Sequence, residues 1–286
     1  MDDYKLLDSG GGKKLERFGP FTLERPAAQA AWRPRLDAGA WRRAHASFDR
    51  TKGNRWRNRS ALPDEWEALV SGTRFLLSPT DFGHVGVFPE QGEMWPWVGE
   101  RVERHRARTG RDSSILNLFA YTGGATLASA RAGAEVCHLD SSRGMVERAR
   151  ENAARNGLGE APIRWIVEDV AKFLRREIRR GRRYDGLVLD PPSFGRGRRG
   201  EVFKIHDHIH ALLDPCAALL SERPAFLLLT CHTPEFSPRV LHNLLVDRIG
   251  SRGGAIESGE MLLRGGKDVL PLPSGAFVRW TAPEAE

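Results

Sequence analysis

Residues 115–140, ILNLFAYTGGATLASARAGAEVCHLD, predict a strand, a glycine turn, a helix and a second strand that ends at Asp140. The apolar run before Gly123 has the length of a buried strand, and the alanine-rich run after Gly124 favours a helix. Adjacent glycines let the backbone turn sharply and approach a ligand closely. This order is typical of a βαβ unit that binds a nucleoside at the carboxyl ends of its strands.

From Ser114 onward the predicted strands and helices alternate, as a parallel sheet requires. We predict strands at residues 115–120, 135–140, 163–167, 187–190, 226–230, 255–263 and 275–280, and helices at residues 125–132, 143–156, 170–179, 205–220 and 238–249. A non-helical segment containing GGKD joins the last two strands, which predicts a hairpin and an antiparallel final strand. The sequence therefore predicts an α/β fold with a Rossmann-like, mostly parallel, seven-stranded sheet.

The charge of the chain favours a polyanionic partner. The 44 Lys and Arg residues outnumber the 37 Asp and Glu residues, which gives a net charge of +7. Arginines concentrate in residues 33–59, where they alternate with aromatic residues, and in residues 175–199. Arginine neutralises phosphate and aromatic rings stack on bases, so both clusters are predicted RNA contacts. The alternative is that each cluster is only a solvated face.

The residues before Met94 are rich in glycine, proline and tryptophan and have little helical periodicity. Residues 14–26 alternate apolar and polar side chains around Gly19, which predicts a hairpin, and further strands are predicted at residues 65–70 and 73–77. Residues 94–108 are predicted to be helical. We therefore predict a small β-rich module at residues 1–93, a candidate RNA contact, followed by the main domain at residues 94–286.

Several classes of protein are disfavoured by composition. No apolar run is long enough to cross a bilayer and residues 1–14 lack the order of a secretory signal, so a cytoplasmic location and no membrane association are predicted. Cys137, Cys216 and Cys231 are too few for a disulfide framework and have no CxxC spacing. The alternating histidines of residues 205–210 do not share a helix face, so no metal site is expected.

Acids end the two strands that follow the glycine turn. Gly123 and Gly124 are adjacent, so the GxGxxG pattern of a pyrophosphate cradle is absent. Asp140 can accept hydrogen bonds from ribose hydroxyls, and Asp169 can bond an adenine amino group. This combination predicts S-adenosylmethionine as the ligand. The predicted cofactor contacts in this part of the chain are Phe119, Ala120, Tyr121, Thr122, Gly123, Gly124, Asp140, Ser141, Asp169, Val170 and Asp190.

The segment Asp190-Pro-Pro-Ser-Phe194 follows another buried strand and is expected at the same edge of the sheet. Its prolines fix the backbone and remove N–H donors, which exposes the carbonyls of Asp190 and Pro191. Asp190 is then placed to accept a hydrogen bond from an amine, and Phe194 to stack on an extruded base. The alternative is a proline-rich loop that only ends a strand.

Cys231 follows the fifth predicted strand and is also expected at this edge. In a carbon-methylation mechanism, its thiolate attacks C6 of a pyrimidine while Asp190 orients the base. In a nitrogen-methylation mechanism, Asp190 and the Pro191 carbonyl hold an amino group beneath Phe194, and Cys231 takes no part. A cysteine at a strand end is also often a small buried residue, so both mechanisms stay open.

Together, NLFAYTGG, the strand ending at Asp140, LVLDPPSF and the TCH at residues 230–232 resemble the class I S-adenosylmethionine-dependent methyltransferases of the bacterial large-subunit rRNA cytosine and guanine methyltransferase group. The resemblance covers about residues 80–280. It implies that FGHVGVFPEQ, residues 82–91, lies over the cofactor, with Phe88 and Gln91 near its methionine end, and that the N-terminal module holds RNA. His232 departs from the Ser or Thr expected after the motif cysteine.

The expected activity is therefore methyl transfer from S-adenosylmethionine to a base in RNA, with large-subunit rRNA as the preferred substrate. Two alternatives remain at this level. One is a non-catalytic RNA-binding protein that retains a nucleoside pocket, and the other is a methyltransferase that acts on a small molecule or a protein. The sequence does not predict an oligomeric state.

Overall fold

Two units make up the chain in the computed structural model, which describes residues 2–50, 53–196 and 202–283. One unit contains Met1–Gly92 with Met261–Ser274, and the other contains Glu93–Glu260 with Gly275–Glu286. Parts of both predicted RNA contacts, residues 51–52 and 197–199, lie outside the described residues. The assignment of RNA binding to residues 1–93 stays a prediction.

The N-terminal unit is built on a five-stranded sheet in the order β1-β2-β3-β4-β5 and a separate hairpin of β6 and β7. Its elements are β1 (Tyr4–Gly10), β2 (Lys13–Phe18), β3 (Phe21–Pro26), α1 (Ala38–Arg42), β4 (Ala46–Asp49), β5 (Arg55–Arg57), β6 (Trp66–Val70) and β7 (Thr73–Leu77). Phe18 pairs with Phe21 across the turn at Gly19, whose φ is +61°. The predicted hairpin of residues 14–26 and the strands at residues 65–70 and 73–77 are thus confirmed.

The second unit alternates strands and helices around a seven-stranded sheet in the order β10-β9-β8-β11-β14-β16-β15. Its elements are α2 (Met94–Thr109), β8 (Ser114–Leu118), α3 (Gly124–Arg131), β9 (Glu135–Asp140), α4 (Arg143–Arg155), β10 (Ile163–Val167), α5 (Val170–Arg179), β11 (Gly186–Leu189), β12 (Phe194–Arg196), β13 (Val202–Lys204), α6 (Ile205–Leu219), β14 (Phe226–Cys231), α7 (Pro238–Ile249), β15 (Ala255–Leu263) and β16 (Leu272–Thr281). Strands β8, β9, β10, β11 and β14 pair in parallel, and β16 pairs antiparallel to β14. The predicted Rossmann-like fold, including its antiparallel last strand, is confirmed.

The central strands are apolar on both faces because helices cover both sides of the sheet. Leu116 and Leu118 of β8 belong to one core cluster with Leu227 and Leu229 of β14. Ile115, which precedes Leu116, joins the cluster on the opposite face together with Phe226 and Leu228 of β14. Successive side chains of a strand point to opposite faces, so the continuous apolar runs fill two cores at once. This packing fixes where each strand ends, and hence where the polar residues that follow it lie.

An ion pair between a buried carboxylate and a half-exposed arginine lies at the amino-terminal edge of the sheet. Asp185, which is 2% exposed and precedes β11, accepts two 2.7 Å hydrogen bonds from the Arg111 guanidinium. It also accepts bonds from the Ser114 backbone N–H at 3.0 Å and the Ser221 hydroxyl at 2.8 Å. Although burial raises the pKa of the Asp185 carboxyl, these donors outweigh burial and hold that pKa below its ordinary value. The opposite, carboxyl-terminal edge carries the predicted site.

A short antiparallel hairpin, β12 and β13, lies between the Asp190 segment and α6. These strands were not predicted from the sequence because each is only three residues long, Phe-Gly-Arg and Val-Phe-Lys, which is too short to show an alternating pattern. In the part of the chain that the structure describes, no helix is both long and apolar enough to span a membrane, and no group of three or more His, Cys, Asp and Glu side chains is placed to hold a metal ion.

Candidate active site

The loop between β8 and α3 has an unusual backbone conformation. Phe119 and Tyr121 have φ values of +56° and +48°, and Gly123 has a φ of +98°. The left-handed region costs a non-glycine residue about 1–2 kcal/mol, so the surrounding contacts must hold this loop in place. The Ala120 N–H donates to the Leu139 carbonyl at 3.0 Å, which ties the loop to β9. Such residues concentrate at ligand sites.

The two glycines of this loop are required by helix packing. A Cβ at Gly123 would lie 3.2 Å from the Cβ of Ala149 on α4, and a Cβ at Gly124 would lie 2.4 Å from Cζ2 of Trp95 on α2. The sequence analysis attributed these glycines to the turn and to ligand approach. The structure adds that they let α3 begin directly against two other helices.

Asp140 lies at the end of β9 and connects the loop to the start of α4. Its Oδ2 accepts a hydrogen bond from the Tyr121 N–H at 2.9 Å, and its Oδ1 accepts one from the Ser142 N–H at 2.9 Å. Burial raises the pKa of the Asp140 carboxyl, and the backbone N–H donors oppose that effect. Each carboxylate oxygen can accept a second bond, so Asp140 retains capacity for ribose hydroxyls.

Asp169 caps α5 by accepting a hydrogen bond from the Lys172 N–H at 2.9 Å. It borders a cavity of about 130 Å³ that several predicted cofactor residues share. The cavity is lined by Phe119, Ser141, Asp169, Val170, Ala171, Leu174, Pro192, Gly195, Phe203, His208, Ala211 and Leu212. The Phe203 ring lies 5.5 Å from the Phe119 ring and stacks on His208 at 5.5 Å, so β13 supplies one aromatic wall. This wall was not predicted from the sequence.

Several of the predicted cofactor residues are buried, among them Ala120 and Thr122 of the loop after β8. Ala120 is 7% exposed and Thr122 is 2% exposed, and the Thr122 carbonyl accepts a hydrogen bond from the Asn152 amide at 3.0 Å. Phe88 and Gln91 belong to the N-terminal unit, where the Gln91 N–H donates to the Phe88 carbonyl at 3.1 Å. Their contact with the cofactor stays a prediction.

A buried polar network lies among β8, α3 and β9. The Asn117 amide donates to the Thr126 hydroxyl at 2.9 Å, and that hydroxyl bonds Nδ1 of His138 at 2.9 Å. Burial lowers the pKa of His138 to about 3, so the imidazole is neutral. This network was not predicted from the sequence, although Asn117 and His138, each a polar residue inside an apolar strand, were its signal.

Side-chain hydrogen bonds join the Asp190 segment to the end of β14 and to the residues that follow it. Oδ1 of Asp190 accepts a hydrogen bond from the Thr230 hydroxyl at 2.7 Å, and the Ser193 and Thr233 hydroxyls are 2.6 Å apart. Pro191 is buried, whereas the Phe194 side chain is 51% exposed. The segment therefore presents a fixed carboxylate and an accessible aromatic ring at the same edge as Asp140.

Cys231 is in an environment that disfavours a nucleophile. The residue is completely buried, and burial raises the pKa of its thiol. The Thr233 N–H donates to its sulfur at 3.5 Å. A reactive cysteine needs an accessible thiolate, so this geometry weakens the carbon-methylation mechanism. Cys137 and Cys216 are also buried free thiols.

A Rossmann-like sheet with a strained loop and an acid at its carboxyl edge is typical of an α/β protein that binds a nucleoside. The Asp190 segment adds a carboxylate and an aromatic ring at the same edge, where a substrate could receive a transferred group. The sequence model of the family described as S-adenosylmethionine-dependent methyltransferase matches residues 22–244. The chain belongs to this family.

The solved structure of an S-adenosylmethionine-dependent methyltransferase from Agrobacterium tumefaciens is similar over 98% of this chain and 91% of that one, with 42% identity and a TM-score of 0.91. Ribosomal RNA large subunit methyltransferase K of Neisseria meningitidis is 26% identical over 72% of this chain and 59% of that protein. Methyltransferase K/L of Pseudoalteromonas atlantica is 34% identical over 46% of this chain and 17% of that protein. The chain thus spans less than two thirds of the length of both ribosomal RNA methyltransferases.

The residues of the site fit S-adenosylmethionine. Asp140 has acceptor capacity for two ribose hydroxyls, and the cavity beside Asp169 has an aromatic and aliphatic lining that suits an adenine ring. Adjacent glycines in place of GxGxxG suit a ligand that lacks a pyrophosphate. When bound, this cofactor supplies a methyl group activated by a sulfonium.

Proposed function

We propose that this protein transfers the methyl group of S-adenosylmethionine to a base nitrogen in RNA, with large-subunit rRNA as its substrate. The observation that carries the proposal is the half-exposed Phe194 ring, in the same segment as the anchored Asp190 carboxylate and at the edge that holds Asp140. The rRNA substrate is supported by the names of the relatives in Neisseria and Pseudoalteromonas.

The protein acts mainly by orienting the base. Asp190 accepts a hydrogen bond from the amino group of the base, the Pro191 carbonyl accepts a second, and Phe194 stacks on the ring. The Thr230 hydroxyl fixes Asp190 at 2.7 Å, so the acceptor is in place before the base arrives. Holding the nitrogen in line with the activated methyl carbon removes much of the entropic cost of the encounter.

Nitrogen methylation is favoured over carbon methylation by the burial of Cys231. A covalent attack on C6 requires a thiolate that reaches the base, whereas this thiol is completely buried and its pKa is raised by burial. In the nitrogen mechanism the cysteine packs as a small apolar residue.

RNA binding is attributed to arginine charge in both clusters. Arg42 and Arg55 are exposed in residues 33–59, and Arg179 is exposed on α5 in residues 175–199. Aromatic side chains of the first cluster pack or form hydrogen bonds inside the N-terminal unit, so they do not supply stacking surfaces for bases. The Trp56 indole donates to the Thr80 carbonyl at 2.8 Å, and Phe48 is 4% exposed. We therefore attribute the contribution of the first cluster to phosphate neutralisation, which makes binding strongly dependent on salt.

The test is methyl transfer from isotopically labelled S-adenosylmethionine to rRNA from a strain in which the gene is deleted, with the modified nucleoside identified by mass spectrometry. We expect a label on a base nitrogen. Cofactor binding without turnover would instead indicate a non-catalytic RNA-binding protein, and turnover without RNA would indicate a small-molecule or protein substrate. A label at C5 of a pyrimidine would refute the nitrogen mechanism.

Two cysteine variants sharpen this test. Cys231→Ala is expected to keep kcat within about threefold of wild type, because the thiol only packs. Cys216→Ala is the matched control, since Cys216 on α6 is also completely buried and measures the cost of deleting a buried sulfur. Loss of activity in Cys231→Ala but not in Cys216→Ala would restore the covalent mechanism.

A further inference from the structure

His232 is next to the Asp190 carboxylate. It follows the last residue of β14, and its Nε2 lies 3.7 Å from Oδ1 of Asp190. The same Oδ1 accepts the hydrogen bond of the Thr230 hydroxyl. The His232 side chain is 31% exposed and the Asp190 side chain is 25% exposed, so part of each reaches solvent, whereas the Nε2 atom that faces Asp190 is buried.

Methyl transfer to a base amino group leaves a proton to be removed. The C–S bond to the methyl group breaks and its electrons stay on sulfur, while the nitrogen lone pair forms the new C–N bond. The nitrogen then carries a positive charge and an N–H that it must release. Asp190, which accepts a hydrogen bond from this amino group in the proposed function, is the first group able to take that proton.

We propose that His232 receives the released proton from Asp190 and passes it to solvent. This inference rests on the proposed function and adds the route of the proton. The N–H proton moves to the Asp190 carboxylate, and the carboxyl proton then moves to Nε2 of His232. Imidazole is a stronger base than carboxylate, so the second transfer runs downhill and restores the carboxylate for the next base. No electrons or further reactants are needed.

The distance and the neighbours of His232 suit this route. A hydrogen bond between Nε2 and Oδ1 requires a separation of about 3 Å, so the two side chains must move closer than their 3.7 Å separation for the transfer. The titratable groups around it are Asp190, the neutral buried thiol of Cys231, and Glu235, which pairs with His206 of α6 at 3.8 Å. Because Glu235 is paired with His206, Asp190 is the carboxylate that exchanges a proton with His232.

His232 acts through Asp190, so it is a positioning and proton-accepting residue that does not touch the base. An imidazole accepts a proton only in its neutral form, so we expect an acid limb in the pH profile of kcat. The dissociation constant for S-adenosylmethionine should not depend on His232.

The experiment compares the wild type with His232→Gln and His232→Gly in the rRNA methylation assay. We expect kcat to fall about 100-fold in both variants with KM for RNA within about threefold, since a positioned base contributes at least about 10²-fold. The acid limb of the kcat profile should disappear in His232→Gln, and added imidazole should restore kcat in His232→Gly. His206→Gln is the control, because this histidine is exposed and paired with Glu235, and it should behave as wild type.

Unchanged kcat and acid limb in His232→Gln would overturn the inference and leave the proposed function intact. A loss of kcat that imidazole does not restore would also overturn it, because it would indicate a purely structural role. Absence of RNA methylation by the wild type would overturn both. Circular dichroism melting of His232→Gly reports whether the variant is folded, and His232→Gln supplies the pH test if it is not.

Discussion

Substitution of Asp140 by asparagine tests the cofactor site most directly. Both carboxylate oxygens accept a backbone N–H, Oδ2 from Tyr121 and Oδ1 from Ser142, each at 2.9 Å. An amide has only one oxygen, so in Asp140→Asn its NH₂ group must face one of these two N–H groups. Either the Tyr121 loop or the start of α4 then loses its anchor.

The expected loss follows from these two contacts. A buried N–H left without an acceptor costs about 1–3 kcal/mol, and a ribose hydroxyl loses a charged acceptor worth about 1.5–3 kcal/mol. Since the loop can relax, we expect a combined loss of about 2–4 kcal/mol, which weakens the Kd for S-adenosylmethionine about 30- to 700-fold. Because the N–H without an acceptor also destabilises the unliganded fold, the melting temperature of the unliganded variant should fall by a few degrees.

Isothermal titration calorimetry measures the effect, with circular dichroism to confirm folding. Glu135→Gln is the matched control, because Glu135 begins the same strand and is exposed. A Kd for Asp140→Asn within threefold of wild type would refute the assignment of Asp140 to the ribose.

Three further substitutions have defined outcomes. Gly124→Ala places a Cβ 2.4 Å from the Trp95 ring, so we expect about 1–3 kcal/mol of destabilisation in urea unfolding and weaker cofactor binding. Arg111→Ala removes two bonds from buried Asp185 and should cost roughly 2 kcal/mol at pH 7. Because the folded-state pKa of Asp185 is lowered, this contribution is present above about pH 4, the ordinary range of a carboxyl, and is lost as the pH falls through the lowered value. Phe194→Leu removes base stacking worth about 1–3 kcal/mol and should weaken rRNA binding about 5- to 150-fold in a filter-binding assay, with cofactor affinity unchanged.

Each of these substitutions has a control in the second unit. Gly144→Ala on α4 meets no atom within 4 Å, so it should not destabilise, and equal stability of both alanine variants would contradict the packing argument. Arg104→Ala removes an exposed pair with Glu100 and should cost under about 0.5 kcal/mol, without the acid dependence of Arg111→Ala. Val246→Ala shortens a side chain on α7 that is 47% exposed, and it should leave rRNA affinity unchanged. If Phe194→Leu changes rRNA affinity no more than Val246→Ala does, Phe194 does not stack on a base.

The order of elements in the second unit was predictable because it depends on local patterns. Apolar runs of four to six residues after glycines or polar turns gave β8 to β11 and β14 within two residues of their observed ends, and β9, β10, α5 and α7 agree with the structure at both ends. The short strands β12 and β13 were not predicted, since three residues carry too little periodicity to indicate a strand.

The sequence by itself determined which residues reach the carboxyl edge of the sheet. Parallel strands end at one edge, so Asp140, Asp169, Asp190 and Cys231 meet there once the strand order is known. Tertiary structure alone decided what each residue can do. Burial, which comes from packing by distant elements, raises the pKa of the Cys231 thiol and disfavours its thiolate. Side-chain direction at the end of β14, which the apolar pattern does not encode, places His232 beside Asp190.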